Sequence, residues 1–270
     1  MLVNLRDLMK KAYKKKVAIG AFNAYNLETA RAIIQAAEGL NAPVIVETTP
    51  KAIEYAGLDY LSTLIKKMAD DVTVPVVLHL DHGLSIDMVE SCLDAGYTSV
   101  MIDGSHLPLL ENIALTQKVV EIASKKGIPV EGELGSVTEH LKFTNPEEVP
   151  IFVKKTGVFS LAVAIGSSHG HAPKEELDLD LLSKIRNKTD LPLVLHGASG
   201  VSDADIKGAI QRGIAKINID TELREVFTET IKEEMRHLQS IDPRYYLKKA
   251  EEAVRKRVEE KILLFGSVNV

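Results

Sequence analysis

Eight short runs rich in valine, isoleucine and leucine recur along the 270-residue chain, and this recurrence constrains the fold more than any other feature. Their starts are about 28 residues apart on average, the length of one strand-plus-helix unit. Eight such units predict parallel strands in a closed (β/α)8 TIM barrel. An open doubly wound sheet is the alternative, but no G-x-G-x-x-G motif follows the first run. The runs cover residues 17–23, 43–48, 75–81, 99–105, 129–135, 160–166, 191–197 and 214–220.

The segments between these runs repeat apolar residues with a helical period. The pattern is clearest in residues 27–39, 110–126 and 203–213. Beyond the last run, two more helices are predicted over about 221–238 and 245–264, with a break at Asp242-Pro243. We therefore expect one barrel domain over residues 1–270, with a C-terminal helical extension over about 221–270.

Composition narrows the class of protein. The formal net charge of −5 argues against nucleic-acid binding, because phosphate contacts require a basic surface. No apolar run reaches the ~20 residues of a membrane span, and charges interrupt the apolar residues near the N-terminus. Cys92 is the single cysteine, so an internal disulfide is excluded and a reducing compartment is favoured. We expect a cytoplasmic enzyme that binds neither nucleic acid nor membranes.

Three histidines fall where three of the predicted strands end. In a barrel of this type, reactive groups lie at the C-terminal ends of the strands. His82, His169 and His196 follow the third, sixth and seventh runs, so we expect them to converge on one rim. Three neutral imidazoles around an open position form a catalytic zinc site, which cobalt or iron could also occupy. Each histidine taken alone could instead be structural.

Small and polar residues after the last two predicted strands suit a phosphate group. Gly197-Ala-Ser-Gly200 leads towards a predicted helix, whose free backbone N–H groups attract anions. Asn218, Asp220 and Thr221 follow the eighth run and supply polar side chains beside this turn. Ser199 or Ser202 could instead cap that helix, a role that uses the same N–H groups and is compatible with phosphate binding.

Two further charged residues have alternative interpretations. Asp81 precedes His82 and is not needed to complete a tetrahedral metal site. Its carboxylate could transfer a proton on a metal-polarised substrate, or it could only orient a histidine. Lys216 is the one lysine inside a predicted barrel strand, and it lies on the inward face, deeper than Asn218. We expect it to pair with a carboxylate inside the barrel rather than to form a Schiff base.

Seven motifs, which occur in order along the eight runs, together resemble the class II, metal-dependent fructose-bisphosphate and tagatose-bisphosphate aldolases. The resemblance implies reversible cleavage of fructose 1,6-bisphosphate to dihydroxyacetone phosphate and glyceraldehyde 3-phosphate. The motifs are Ala21-Phe-Asn-Ala-Tyr-Asn26, Leu78-His-Leu-Asp-His82, Met101-Ile-Asp-Gly-Ser105, Glu131-Gly-Glu-Leu-Gly135, Leu161-Ala-Val-Ala-Ile-Gly-Ser-Ser-His-Gly170, Leu195-His-Gly-Ala-Ser-Gly200 and Asn218-Ile-Asp-Thr221.

The resemblance also implies how the metal is held and where a proton moves. Zinc would be bound by His82, His169 and His196. Glu133 would be an alternate ligand, and Asp103 would serve a second metal position. Asp81 would exchange a proton with the C4 oxygen of the ketose during carbon–carbon cleavage.

Substrate contacts follow from the same resemblance. Asn23 and Thr49, at the ends of the first two strands, belong to the substrate pocket, and position 49 is often serine in the family. Either Arg244 or Lys248 would reach the second phosphate, often from a neighbouring subunit of a homodimer or homotetramer. A sodium or potassium ion would lie near the first phosphate. The dihydroxyacetone phosphate half of the substrate would contact Gly170, Gly197, Ser199, Asn218, Asp220 and Thr221.

One segment departs from the family pattern. Residues 136–146 are shorter than the family's glycine-rich mobile loop, whose acidic residue moves the C3 proton. Glu139 is the only carboxylate in this segment, so it is the candidate for that proton transfer or an ordinary exposed loop residue.

Two alternative functions stay open. One is an aldolase for tagatose 1,6-bisphosphate or another phosphorylated ketose, and the other is a non-catalytic phosphosugar-binding protein.

Overall fold

Eight parallel strands form a closed barrel, in which each strand pairs with its neighbour in the sequence and the last pairs with the first. The predicted (β/α)8 barrel is therefore confirmed. The computed structural model describes residues 1–136, 142–168, 170, 176–237 and 241–270, with the backbone alone at residue 237. The strands are β1 (Ile19–Asn23), β2 (Val44–Thr48), β3 (Val76–Gly83), β4 (Ser99–Ile102), β5 (Val130–Leu134), β6 (Ser160–Val163), β7 (Leu193–Leu195) and β8 (Ile214–Ile219).

Helices precede β1, connect the strands and follow β8. None of the described helices combines the length and apolar composition that crossing a bilayer requires. A short 3-10 turn at Ala198–Gly200 follows β7. The helices are α1 (Leu5–Lys15), α2 (Leu27–Gly39), α3 (Pro50–Ala56), α4 (Leu58–Asp70), α5 (Ile86–Asp94), α6 (Leu109–Ser124), α7 (Val149–Thr156), α8 (Leu179–Arg186), α9 (Asp203–Gln211), α10 (Thr221–His237) and α11 (Pro243–Phe265).

Local sequence explains where several of these helices begin. Asn26 caps α2: its side chain accepts from the backbone N–H of Thr29, whose hydroxyl in turn accepts from the Asn26 N–H. The hydroxyls of Ser85 and Ser202 accept from one backbone N–H each at the starts of α5 and α9, without the reciprocal bond. Each such cap stabilises a helix by about 1 kcal/mol. The strands between them are buried along almost their whole length, as expected for a parallel sheet covered by helices.

The third strand is longer than the sequence predicts. The apolar run ends at residue 81, whereas β3 continues to Gly83 and its pairing with β4 shifts register after Leu80. His82 lies at this irregularity with a backbone φ of 49°, a conformation that non-glycine residues adopt rarely. A Cβ on Gly83 would lie 2.5 Å from the Met101 carbonyl oxygen, so the close approach of the two strands requires glycine there.

The two C-terminal helices have different places in the fold. α11 packs on α2, α9 and β1, and its Val254, Val258 and Ile262 are fully buried. It therefore completes the ring of helices around the barrel. α10 packs on α11 and on the turn after β7, so it is the helix added to the basic barrel. Both helices lie where the sequence predicts a C-terminal helical extension, over about residues 221–270, and the bounds of that extension stay a prediction.

The interior of the barrel changes character from one end to the other. At the amino ends of the strands, Leu5 and Met9 of α1 pack on Ile19, Val77 and other apolar residues of the strands. Nearer the carboxyl ends, the inward side chains are ionisable and remain buried. They are Glu47, His79, Glu131 and Lys216. The apolar end supplies stability, and the ionisable part supports the carboxyl ends of the strands.

Candidate active site

A cavity of about 950 Å³ opens at the carboxyl ends of the strands. This is the end at which (β/α)8 enzymes carry their reactive groups. The structure gathers twelve of the predicted site residues around this one cavity, from the ends of seven strands. They are Asn23, Thr49, Asp81, His82, Asp103, Gly170, His196, Gly197, Ser199, Asn218, Asp220 and Thr221.

Three of the predicted site residues that the structure describes do not line the cavity, and two more lie outside the described residues. Glu133 is buried beneath it, with a carboxylate oxygen 3.9 Å from His82 Nδ1. Glu139 and His169 lie outside the described residues, so their predicted roles stay predictions. Arg244 and Lys248 are exposed on α11, and Arg244 pairs with Asp242 of its own helix cap. Their predicted contact with a second phosphate also stays a prediction.

Two imidazoles face one another at the base of the cavity. His82 Nε2 lies 3.0 Å from His196 Nδ1, and the rings meet edge to face with centroids 4.7 Å apart. The far nitrogen of each ring contacts a carboxylate: His82 Nδ1 is 2.8 Å from Asp103, and His196 Nε2 is 2.9 Å from Glu131. Carboxylates bound in this way orient imidazoles that ligate metals.

Asp81 borders the space between these imidazoles. Its Oδ1 is 3.7 Å from His82 Nε2 and 3.9 Å from His196 Nδ1. The side-chain amides of Asn23 and Asn218 donate to its two oxygens at 3.0 and 3.2 Å. Burial alone would raise the pKa of Asp81, but the nearby imidazoles and Lys216 outweigh burial and lower it to about 2. Asp81 is therefore an ionised, fixed proton acceptor at neutral pH.

The surrounding carboxylates make this place strongly attractive to a cation. Burial alone would lower the pKa of His82, but Asp81, Asp103 and Glu133 outweigh burial and raise it to about 10. Burial and the charge of Asp103 raise the pKa of Glu133 to about 8. Neither oxygen of the Glu133 carboxylate has a hydrogen-bond partner among the described residues. A buried carboxyl group without hydrogen-bond partners is expected to have another partner, such as a bound cation.

The donor set and its geometry fit a divalent metal ion. Among the described residues, three groups of side chains have ligand atoms within 4.8 Å of one another, and two of them share His82: Asp81, His82 and His196, and His82, Asp103 and Glu133. The third group is Glu47, His79 and Asp81. Two nitrogens bound tetrahedrally to zinc at about 2.0–2.1 Å would be about 3.3 Å apart. The observed separation of 3.0 Å between His82 Nε2 and His196 Nδ1 is close to that value. Imidazole and carboxylate donors suit zinc, cobalt and iron.

The other side of the cavity is built for an anion. α10 begins at Thr221, which lines the cavity, so the positive end of this helix faces the interior. Ser199 accepts a hydrogen bond from the Glu222 N–H of α10 at 3.3 Å, whereas Ser202 is the residue that caps α9, the helix after the turn. Gly197 has a φ of 64°, and a Cβ there would lie 2.4 Å from the Ser168 carbonyl oxygen. Only glycine fits this turn.

Sequence reasoning missed two cations and one tyrosine of the cavity wall. Lys51 belongs to the first turn of α3, and Arg224 belongs to α10, where it pairs with Asp220 at 3.1 Å. Tyr25 lies just after β1, and burial together with the charge of Asp220 raises its pKa to about 12. Strand ends were the signal used to find site residues, whereas Lys51 and Arg224 belong to helices. Both residues lie within three positions of a predicted site residue, Thr49 or Thr221, and this short distance along the sequence could have identified them.

Lys216 pairs with carboxyl groups inside the barrel, which is the type of partner that the sequence predicts. Its Nζ lies 2.7 Å from Glu47 Oε1 and 3.1 Å from Glu131 Oε2, and all three side chains are buried. The expected pairing with a carboxylate is therefore confirmed. Burial alone would lower the pKa of Lys216, but the two glutamates outweigh burial and raise it. A lysine held in this charged form is not a nucleophile, so the geometry opposes a Schiff-base role.

Comparison with known proteins gives a consistent family. The sequence profile of the family described as "Fructose-bisphosphate aldolase class-II" matches residues 3–270. The YdjI aldolase of Escherichia coli K12 is 39% identical, with a TM-score of 0.92 over 100% of this chain and 99% of that chain. The fructose-bisphosphate aldolase of Campylobacter jejuni is 23% identical, with a TM-score of 0.87 over 99% of this chain and 96% of that chain. The last likeness supports the fold alone.

Replacing His196 tests the metal site directly. We expect His196→Ala to weaken zinc binding by more than about 100-fold, because even the hydrogen-bond partners of metal ligands contribute about 10- to 100-fold. Competition of the metal-free protein with a chromophoric chelator measures the dissociation constant. His106→Ala removes an exposed imidazole from the same chain and should leave the constant unchanged. Equal affinities of the two variants would contradict the site.

Proposed function

The chain belongs to the class II fructose-bisphosphate aldolase family, and on that premise we propose that it is a metal-dependent aldolase for fructose 1,6-bisphosphate. The products are dihydroxyacetone phosphate and glyceraldehyde 3-phosphate, and the reaction is reversible. One observation carries the proposal: His82 and His196 face each other beside Asp81, at the base of a cavity whose opposite wall includes the N-terminus of α10.

The cavity orients the ketose by its two chemically different ends. The C1 phosphate lies at the N-terminus of α10, near Ser199 and Gly197, and a sodium or potassium ion accompanies it. The C2 carbonyl and the neighbouring hydroxyl then point towards His82 and His196. This orientation brings the C4 hydroxyl towards Asp81, which Asn23 and Asn218 hold in place.

His82, His196 and His169 would hold the divalent ion, with Glu133 as an alternate ligand and Asp103 serving a second metal position. When bound, the ion supplies a Lewis acid that stabilises the negative charge developing on the substrate oxygens. Zinc is the ion we propose, and cobalt or iron fits the same donors. Asp103 also accepts from His82 Nδ1, which fixes the orientation of that imidazole.

Asp81 performs the first proton transfer in the cleavage direction. Its carboxylate accepts the proton of the C4 hydroxyl while the C3–C4 bond breaks, so C4 becomes the aldehyde carbon. The bonding electron pair stays on the three-carbon half that carries the C1 phosphate. A proton is then added to C3, which completes dihydroxyacetone phosphate, and Asp81 releases the proton that it accepted to solvent. Glu139 is the proposed donor of the proton added to C3.

The rest of the proposal concerns the second phosphate. Arg244 or Lys248 of a neighbouring subunit would bind it in a homodimer or homotetramer. Lys51 and Arg224 also line the cavity of this chain and add positive charge within reach of a phosphorylated sugar. Recognition of both phosphates distinguishes the proposed bisphosphate substrate from a ketose monophosphate.

Removal and return of the metal tests the proposed function. Cleavage of fructose 1,6-bisphosphate is measured as the release of triose phosphates. This activity should be lost after treatment with EDTA and restored by zinc. Tagatose 1,6-bisphosphate and fructose 1-phosphate, assayed in parallel, should be cleaved more slowly. Activity that survives complete metal removal would contradict the metal-dependent reaction, and equal rates on the two bisphosphates would contradict the fructose preference. Binding of dihydroxyacetone phosphate without any turnover would identify a non-catalytic phosphosugar-binding protein.

Asp81→Asn separates proton transfer at the C4 oxygen from the rest of the reaction. An amide cannot accept the hydroxyl proton, so we expect kcat for cleavage to fall by about 10²- to 10⁴-fold. Exchange of the C3 proton of dihydroxyacetone phosphate with solvent does not involve the C4 oxygen and should continue. Zinc content is measured on the same sample, because Asp81 borders the metal ligands. Equal losses of cleavage and exchange at full zinc content would contradict the assigned role.

A further inference from the structure

Three charged side chains form a buried group below the cavity, here called the inner cluster: Glu47, Glu131 and Lys216. Their relative exposures are 0, 1 and 0%. Lys216 Nζ lies 2.7 Å from Glu47 Oε1, and 3.3 and 3.1 Å from Oε1 and Oε2 of Glu131. The three residues belong to β2, β5 and β8, so the cluster links strands from different parts of the barrel.

The two glutamates of the inner cluster differ in one contact. Glu131 Oε1 lies 2.9 Å from His196 Nε2, so Glu131 joins the cluster to an imidazole of the site. The imidazole that faces Glu47 is His79, at 3.9 Å, and His79 Nδ1 is bound instead to the Ser99 hydroxyl at 2.7 Å. His79 is not among the residues lining the cavity. Glu47 therefore contacts Lys216, as Glu131 does, but it has no contact like that between Glu131 and His196.

The contacts of Glu131 determine which nitrogen of His196 carries a proton. Lys216 Nζ donates to both oxygens of Glu131, so this side chain is the acceptor in its contacts. His196 Nε2 must therefore be the donor to Glu131, which leaves the lone pair of a neutral ring on Nδ1. That nitrogen faces His82 Nε2 at 3.0 Å, in the place where the metal ligands converge.

We infer that Glu131 is a positioning residue for the metal: it holds the His196 ring with Nδ1 available as a ligand, and Lys216 holds Glu131. The inference rests on the metal-dependent function proposed above. Glu131 is not among the residues lining the cavity, so it acts through His196 and not on the substrate. Asp103 has the corresponding contact with His82, at 2.8 Å, but it lines the cavity itself.

The physical role of Lys216 follows from burial. A lone carboxylate in the middle of the barrel would lose its hydration without compensation, whereas the ammonium supplies both charge and hydrogen bonds. Because Lys216 belongs to β8 and is bound by two glutamates, its position is set by the strands. The carboxylate of Glu131 is consequently fixed on one side by Lys216 and presents Oε1 to His196 on the other.

A matched pair of variants tests this inference. Glu131→Gln and Glu47→Gln each replace one buried carboxylate beside Lys216 with an amide of the same shape. A merely structural role of the inner cluster would affect both variants alike. We expect Glu131→Gln to weaken zinc binding by about 10- to 100-fold, because the amide can accept from or donate to His196 and no longer fixes the ring. Glu47→Gln should bind zinc within about threefold of the wild type, since Glu47 does not contact a metal ligand.

Zinc dissociation constants are measured without substrate, by competition with a chromophoric chelator, and the melting temperature of each variant is recorded. A second measurement needs no variant: nitrogen-15 spectra of histidine-labelled, zinc-loaded wild type should show a proton on His196 Nε2 and zinc on Nδ1. Coordination through Nε2 would overturn the inference. Equal affinities of Glu131→Gln and Glu47→Gln would overturn it as well, while leaving the proposed aldolase function intact. A wild-type chain that binds no zinc would overturn both the inference and the metal-dependent function.

Discussion

The arrangement of this barrel depends on an excess of buried acidic groups over basic ones at one end of its interior. Among the described residues, Lys216 is the only buried lysine or arginine, and it lies between two of the carboxylates. His82 compensates in part, and its raised pKa is a direct consequence of the surrounding carboxylates. The remaining excess fits a divalent cation. The buried carboxylates inside the barrel are Glu47, Asp81, Asp103, Glu131 and Glu133.

The cost of this charge explains how the rest of the fold is organised. Packing between α1 and the apolar interior residues at the amino ends of the strands supplies stability without polar groups. The carboxyl ends are then free to hold groups that would each destabilise an ordinary core. His82 adds a second cost, because its left-handed backbone conformation at the irregularity of β3 is strained. Strain and buried charge coincide at the residues assigned to the metal, as expected for a functional site.

The periodic pattern of the sequence was sufficient to predict the barrel and most of the cavity. Strand-end positions are governed by a rule of the fold, so Asp81, His196 and Asn218 could be placed before the structure was known. Strand alternation also placed Lys216 inside the barrel. It could not identify Glu47 and Glu131 as the partners, because the relative depth of residues on different strands depends on the stagger of the closed barrel.

Other features depend on contacts between distant parts of the chain. The extension of β3 to Gly83 depends on its pairing with β4, which no local propensity encodes. The place of α11 in the helix ring is decided by packing on α2 and β1. Arg224 reaches the cavity because α10 starts at its rim. In each case the residue type was visible in the sequence, but the neighbour that determines its role was not.

The most direct test of the central claim is the position of the bound metal. Anomalous diffraction from crystals of the zinc-loaded protein, measured on both sides of the zinc absorption edge, locates the ion independently of any assay. We expect a peak at about 2.0–2.1 Å from both His82 Nε2 and His196 Nδ1, next to Asp81. A peak at other side chains, or none at full zinc loading, would contradict it.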